Sequence, residues 1–411
     1  MNKQSRFIGG VLLIAGTAIG IGMLALPLTT GTGGFKGAFI GTTLWYLYML
    51  MTMLIFIDAL YLDRNKNGNL ISLIRQEFSY KYEIMTWLCF LGLLYAATTA
   101  YILGGGQIIS AVLSINHVDF EAHWASVIFT SILGLTVFYG MQWVDNINRA
   151  LMITLITSFI LLLIVTSIHG DTSNLASGGQ PLYLLAASPT IVLAFAPHPI
   201  IPSLRKYLQN NKKTLRNVMI TGSLIPLVCY LVWETVVISL IPYNGANSLV
   251  SIIHNAAEYG GELKLLSQTL HKRYHIPVLD TLVNSFALSA IITSFIGVTL
   301  SVTDFIYDGL QLSKHKNGRT YAILGALLPP MLIGYLCPNG FLSLISYGGV
   351  MIAILYGIFP PLMLLKRHTS TRKKYILISC IVIAFIVIIL QIASAQNLLP
   401  TAHDLPKQSY Y

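Results

Sequence analysis

The sequence predicts an all-α integral membrane protein with eleven spanning helices, on three observations. Its 411 residues are 55% hydrophobic and only 10% charged, with a mean hydropathy of +0.70, whereas a water-facing surface needs about 25% charge. Apolar stretches long enough to cross a bilayer recur along the whole chain. Two of them, the first and the sixth, are interrupted by glycine or proline near mid-span.

The spans are placed at 7–30, 36–62, 84–115, 123–142, 150–169, 183–207, 215–241, 279–306, 320–336, 340–365 and 375–395. Phe7–Thr30 is too long for a signal-peptide core and has no small-residue cleavage site after it, so it is read as a retained span. An odd number of spans puts the two termini on opposite sides. With the N-terminus cytoplasmic, twenty of the 25 basic residues fall on the inner side, and only Lys36, Lys264, Lys272, Arg273 and Lys407 fall outside. That satisfies the positive-inside rule and accounts for the net charge of +10 without nucleic acid. Cys89, Cys229, Cys337 and Cys380 lie in apolar segments or at their ends, where they read as packing residues and not as disulfides or metal ligands.

Two loops carry structure of their own. In 63–83, Leu70, Leu73, Ile74 and Phe78 share one face of an amphipathic helix. In 242–277, on the outer side, two short helical patterns follow one another, a solvated cap or a gate over the outer entrance. The segment after Gln396 is expected to be a short disordered end.

The first interruption is "AGTAIGIGMLALP", 15–27, where Gly16, Gly20 and Gly22 weaken the helix, each by about 1 kcal/mol against alanine. The second is "AFAPHPIIP", 194–202, where Pro197 and Pro199 bracket His198. Each proline pushes the residue before it out of the helical region and donates no hydrogen bond. The sixth helix therefore stops near Phe195 and restarts near Ile200. The two breaks lie five spans apart, so their helices run in opposite directions. Matching breaks in antiparallel halves point to a transporter of inverted repeats with its site between them. The first repeat is placed at 1–170, the second at 183–366, an eleventh span at 372–396 and an outer tail at 397–411.

Unwound backbone in a membrane persists only where it lines protein or a wet cavity. Freed amides near Gly20, Ile21 and Gly22 offer donors to a carboxylate. Freed carbonyls near Thr17 and Ala18, and around Phe195, Ala196 and Pro197, suit an ammonium or a cation. A zwitterionic amino acid carries both groups.

The stretches "GTAIGIGMLALPL" (16–28), "LLYAATTAYILGGGQII" (93–109), "SFIGVTLSVTDFIYD" (294–308) and "LLPPMLIGYLCPNGFLSLISYGGV" (327–350) resemble the hydroxy and aromatic amino acid permease family. They run almost the length of the chain in order. The likeness is stronger to the tyrosine-carrying branch than to the tryptophan-carrying one. The resemblance implies the leucine-transporter type of fold with five-plus-five inverted repeats, within the amino acid–polyamine–organocation superfamily. It also implies a bacterial inner-membrane location and proton-coupled uptake of aromatic amino acids, with no cofactor and no enzymatic activity. One departure bears on substrate choice. The family's sixth-span break reads as a glycine-flanked Phe-Gly-Phe-His-Gly stretch; here it is Phe195, Ala196, Pro197, His198, Pro199.

Among side chains, intramembrane ionisable groups are functional by default. His198 could contact substrate or shuttle a proton, or simply cap freed carbonyls. Glu234, in "VWETV", is a second proton-relay candidate. Asp304 reads first as a capping or pairing group and second as a proton carrier, and Asp58 as a snorkelling or paired one. Thr293 and Ser294 are a mid-depth hydroxyl pair. In the leucine-transporter fold the matching pair, with carbonyls near Gly16 and Ile19, binds sodium; bonding to their own helix is the structural alternative. Phe195, Tyr95, Thr98 and Tyr101 are the aromatic and hydroxyl candidates for the pocket wall, with Tyr347 behind them. A sodium-coupled or tryptophan-specific carrier of the same fold, or a non-transporting membrane sensor, remains in competition. A membrane enzyme is disfavoured because the sequence has no nucleophile elbow and no metal-ligand spacing.

Overall fold

A computed structural model describes residues 3–62, 69–139, 141–176, 178–245, 247–367 and 370–399. Arg64 and Lys66, counted above on the inner side, and the tail from Pro400 with Lys407 lie outside the described residues. Those described are helical, with no strand. The first pass is α1 (Lys3–Ala18) and α2 (Ile21–Thr30), closed by a 3-10 turn at Gly31–Gly33, and the second is α3 (Gly34–Leu60). A short α4 (Leu70–Glu77) precedes α5 (Tyr80–Ile115), α6 (Ala122–Tyr139) and α7 (Met141–His169), the third to fifth passes. After α8 (Thr172–Ala176), the sixth pass is α9 (Tyr183–Ala194) and α10 (Ile201–Tyr207), joined by a 3-10 turn at His198–Ile200. The seventh is α11 (Lys212–Leu240), followed by the loop helices α12 (Leu249–Tyr259) and α13 (Glu262–Tyr274). The last four passes are α14 (Pro277–Gly309), α15 (Gly318–Leu336), α16 (Phe341–Ile352) with α17 (Phe359–Leu365), and α18 (Thr371–Ala395).

Nine helical stretches among the described residues meet the length and hydropathy of a membrane span. The remaining two passes are α1, 16 residues with a charged start, and α6, apolar over Ala122–Thr136. Two helices run further than hydropathy indicated. α7 begins at Met141 and α5 at Tyr80, because apolarity marks the embedded length and a polar helical turn continues past it. A π-helical segment, Ala353–Ile358, links α16 and α17 and left no mark in the sequence pattern.

Polar caps start the helices that begin in water. Asn69 and Ser72 form a reciprocal capping box on α4, and the Asn211 carboxamide accepts the Thr214 N–H at 2.9 Å on α11. Ion pairs clamp the face that carries the N-terminus. Asp58 holds Lys212 at 2.7 Å and Arg216 at 2.9 Å. The buried Arg205 donates to the Leu60 carbonyl at 2.7 Å and stacks over the Tyr61 ring at 4.5 Å. Around the bundle, Leu135, Leu328, Leu332, Phe385 and Ile389 are half or more exposed, the lipid-facing surface that the composition requires.

Inside, α1 lies along α11 and α2 along α9, while α14 packs on α5 and α7. Small residues set the closest approaches, as packing between membrane helices demands. A Cβ on Gly349 of α16 would fall 1.8 Å from the Pro189 carbonyl oxygen of α9. On the face opposite the N-terminus, the buried Gly31 sits against Leu249 and Gly33 against Leu184.

Candidate functional site at two helix breaks

The helix of the first pass stops at Ala18 and restarts at Ile21. Gly20 is extended between them, at φ −161° and ψ −133°. The sixth pass stops at Ala194, where Phe195 turns out of helix at φ −102° and ψ 39°. The breaks meet face to face. A Cβ on Gly22 would lie 2.5 Å from the Ala194 Cβ and 2.7 Å from its Cα, a separation no side chain could share. A Cβ on Gly20 would press on the other wall, 2.6 Å from Ser294 Oγ and 3.1 Å from the Tyr101 hydroxyl. Of the three glycines, Gly16 alone faces open space, with nothing within 4 Å of its Cβ direction.

Tyr230 ties the two breaks together. Its hydroxyl, from α11, lies 2.5 Å from the Ala18 carbonyl oxygen and 3.1 Å from that of Ala194, one proton shared between two freed acceptors. Phe195 is buried between two rings, edge-on to Tyr46 at 5.3 Å and to Tyr230 at 5.0 Å. The carbonyl of Ala18, one of those expected to receive a cation, is therefore occupied by a protein donor in this arrangement.

His198 is fully buried but turned away from the first break. It faces Thr52 of α3 and the Tyr356 ring of the π segment, 4.7 Å between centroids. Thr52 gives its own hydroxyl proton to the Met49 carbonyl at 2.7 Å, so its oxygen accepts from His198 Nε2–H at 2.9 Å. This bonding assigns the Nε2–H tautomer. The lone pair of Nδ1 has no partner among the described residues.

Glu234, 1% exposed, is the other buried ionisable group beside the site. Its Oε1 lies 2.7 Å from the Thr30 hydroxyl, at the end of α2, and 2.9 Å from that of Thr42 in α3. Oε2 is unpartnered among the described residues. Asp304, by contrast, is exposed and paired with Arg319 at 3.0 Å.

Of the remaining candidates, Tyr101 and Ser294 border the break. Tyr95 instead donates to the Gly325 carbonyl of α15 at 2.7 Å, and Thr98 to Leu94 of its own helix at 2.8 Å. The Thr293 hydroxyl bonds Ser289 at 2.8 Å and Ala290 at 3.1 Å, both in its own helix, and Thr17 bonds Leu13 at 2.7 Å. Ala196 and Pro197 line the turn into the His198 segment, Ile19 is half-buried, and Tyr347 is exposed. On the N-terminal side of the break, α1 and α14 part. A Cβ on Gly297 would meet nothing within 4 Å, as at Gly16, and Thr17, Ser301 and Asp304 are exposed.

The tryptophan/tyrosine permease family matches residues 3–397. The chain belongs to this family. It is 32% identical to a tyrosine-specific transport system 1 of Haemophilus influenzae over 90% of each chain. It is 29% identical to a tryptophan-specific transport protein of the same organism, over 91% of this chain and 89% of that one. It is also 30% identical to a glutamine transporter 2 of Aliivibrio fischeri, over 90% of each. Among solved structures it superposes on MhsT in complex with L-phenylalanine at a TM-score of 0.59 and 14% identity, covering 94% of this chain and 98% of that one. The fold is thus the leucine-transporter type and the chain a multi-pass membrane permease, not an enzyme.

Sequence reasoning missed Tyr230 and Tyr46. A tyrosine in an apolar span carries no local signal, and Tyr230 reaches Ala18, 212 residues away in the chain, through its hydroxyl. Glycine spacing identified Gly20 and Gly22 because close backbone approach leaves few alternatives.

Proposed function

We propose that this permease carries an aromatic amino acid, with tyrosine favoured, into a bacterial cell across the inner membrane, by proton symport and alternating access. The observation that carries the reading is the contact between the breaks, Gly22 against Ala194. It brings the α2 N-terminus to the end of α9 with no charged side chain between them. Donors at Ile21 and Gly22 suit the substrate carboxylate, carbonyls beside the break suit its ammonium, and Tyr101 and Phe195 supply ring surface. The amino-terminal residues are cytoplasmic in this reading, by the excess of basic residues on their face. The parted α1 and α14 and the covered Gly31–Gly33 turn then correspond to a state open inward and closed outward.

For coupling, Glu234 is the group favoured over His198 and Asp304. A carboxylate there would be a buried charge with no cation within ion-pair distance among the described residues, which is expensive. The outward-closed arrangement accommodates the neutral acid, so proton binding would be tied to closure through Thr30, next to the Gly31–Gly33 turn. The proton reading is preferred to sodium because Glu234 is a buried carboxyl with no cation beside it among the described residues.

Uptake of labelled tyrosine into proteoliposomes, with and without a pH gradient, tests the whole reading, with tryptophan, phenylalanine and glutamine as competitors. Accumulation driven by an inward proton gradient, and displaced best by aromatic amino acids, is the expected result. Accumulation that requires sodium, preference for glutamine, or no gradient-driven uptake of any of them would overturn it.

A further inference from the structure

Leu47, Leu50, Leu54 and Asp58 follow one another along α3 at steps of three and four residues, which puts them on one face of the helix. With Leu364 of α17 and Ile376 of α18 they line a groove of about 420 Å³. None of the lining comes from α1, α2, α9 or α10, so the groove is separate from the helix breaks. Toward the bilayer centre, α3 and α18 converge on the π segment. There the Tyr48 hydroxyl donates to the Cys380 carbonyl at 3.5 Å, and a Cβ on Gly357 would come 2.8 Å from the Ala384 Cβ. Asp58, at the other end, lies ten residues after Tyr48, about 15 Å along the helix. That is the depth of one leaflet, half of a hydrocarbon core roughly 30 Å thick.

The mouth of the groove, on the face that carries the N-terminus, is cationic. Arg216 of α11 and Lys373 of α18 line it together with Asp58. Asp58 is the one carboxylate in this lining, and a single oxygen of it, Oδ1, holds both Lys212 at 2.7 Å and Arg216 at 2.9 Å. Lys373 is exposed on the opposite wall, with no ion pair or hydrogen bond among the described residues. Three cations against one carboxylate leave two positive charges at the mouth. Water can solvate each of these cations singly, but it does not fill the apolar groove beneath them. In a bilayer that groove is filled by an acyl chain, and the charges above it select the headgroup that comes with the chain.

We propose that this groove binds an anionic phospholipid with a single phosphate, of the phosphatidylglycerol type. It would come from the leaflet on the N-terminal face, the inner one in the orientation proposed above. One acyl chain lies along Leu47, Leu50 and Leu54, and the phosphate sits between Arg216 and Lys373. A phosphatidylethanolamine would bring an ammonium to a mouth that already carries excess positive charge, so the zwitterionic lipid is the disfavoured occupant. The lipid would bridge α3 and α18, and its binding requires neither a particular substrate nor a particular coupling ion.

Native mass spectrometry of the delipidated full chain, titrated with phosphatidylglycerol or phosphatidylethanolamine of matched acyl chains, reads binding without any transport assay. The first phosphatidylglycerol is expected to bind about tenfold tighter than the first phosphatidylethanolamine. Lys373→Gln should cut that preference about fivefold. Lys373→Gln combined with Arg216→Gln should remove most of it, while Asp58 keeps Lys212 as its partner. Ile376→Trp, at an exposed position, fills the groove and should weaken both lipids, which tests the acyl chain independently of charge. Lys314→Gln, an exposed cation outside the groove, should change nothing. Equal binding of the two lipids overturns the proposal, as does a preference indifferent to the combined variant. A preference lost equally in Lys314→Gln also overturns it, because the charge of the whole face would then be responsible. So do lipid-free dimers that Ile376→Trp converts to monomers, since a second copy of the chain would then cover the groove.

Discussion

The first and sixth passes break at the same place in the bundle with opposite chemistry. In the first, glycine removes side chains: Gly20 is extended, and Gly22 lets the Ala194 backbone come to contact distance. In the sixth, proline removes donors: Pro197 and Pro199 have no N–H to offer, and their rings stiffen the turn that carries His198. The difference divides the labour expected at the site. Amide donors for a carboxylate remain at the start of α2, whereas the second break contributes a fixed carbonyl end and the Phe195 ring. Tyr230 holds the two unlike ends in register through one hydroxyl.

The largest effect is expected where the two breaks touch. Gly22→Leu should bring uptake to background while the protein still inserts, because even its Cβ would overlap the Ala194 Cα. Expression and monodispersity measured beside uptake separate a blocked site from a misfolded chain. Normal uptake by this variant would mean that the contact is not needed for transport.

Next comes the hydroxyl between the breaks. Tyr230→Phe keeps the ring edge against Phe195 and strips the donor from the Ala18 and Ala194 carbonyls. A buried group left unpaired costs about 1–3 kcal/mol, so initial uptake rates should fall roughly tenfold to a hundredfold. A rate within about twofold of the unaltered protein would show that water replaces the hydroxyl without loss.

Glu234→Gln examines coupling and leaves the break contact intact. The amide can still meet Thr30 and Thr42, yet it cannot release a proton. Exchange of labelled substrate across the membrane is expected to continue while pH-driven accumulation is lost. Accumulation retained in full would remove Glu234 from the coupling scheme and return attention to His198.

These outcomes bear on how much of the site could be read before the structure. Eleven passes, both breaks and the two outer loop helices follow from apolar length and from where glycine and proline fall, since those residues act on their own backbone. The partners of the breaks were not legible. Tyr230 and Tyr46 look like any tyrosine in a span, and Tyr95, one turn and a half from Tyr101, turns to Gly325 for reasons set by α15.

The smallest effects sharpen the contrast between the breaks. Pro197→Gly restores a backbone donor to the second break and loosens the turn, at about 0.4–1 kcal/mol of stability. Uptake should change no more than about fivefold, with the change greater for one aromatic competitor than another if the turn shapes the pocket. Gly16 and Gly20 then separate the roles of the glycines within the first break. Gly16→Ala places a methyl in open space and keeps the carbonyl, so uptake should stay within about twofold and helix propensity should favour the variant by about 1 kcal/mol. Gly20→Ala sets the same methyl 2.6 Å from Ser294 Oγ and should lower uptake well beyond that. Equal behaviour of the two variants would mean that flexibility along the whole stretch, and not close approach at Gly20 and Gly22, is what the glycines provide.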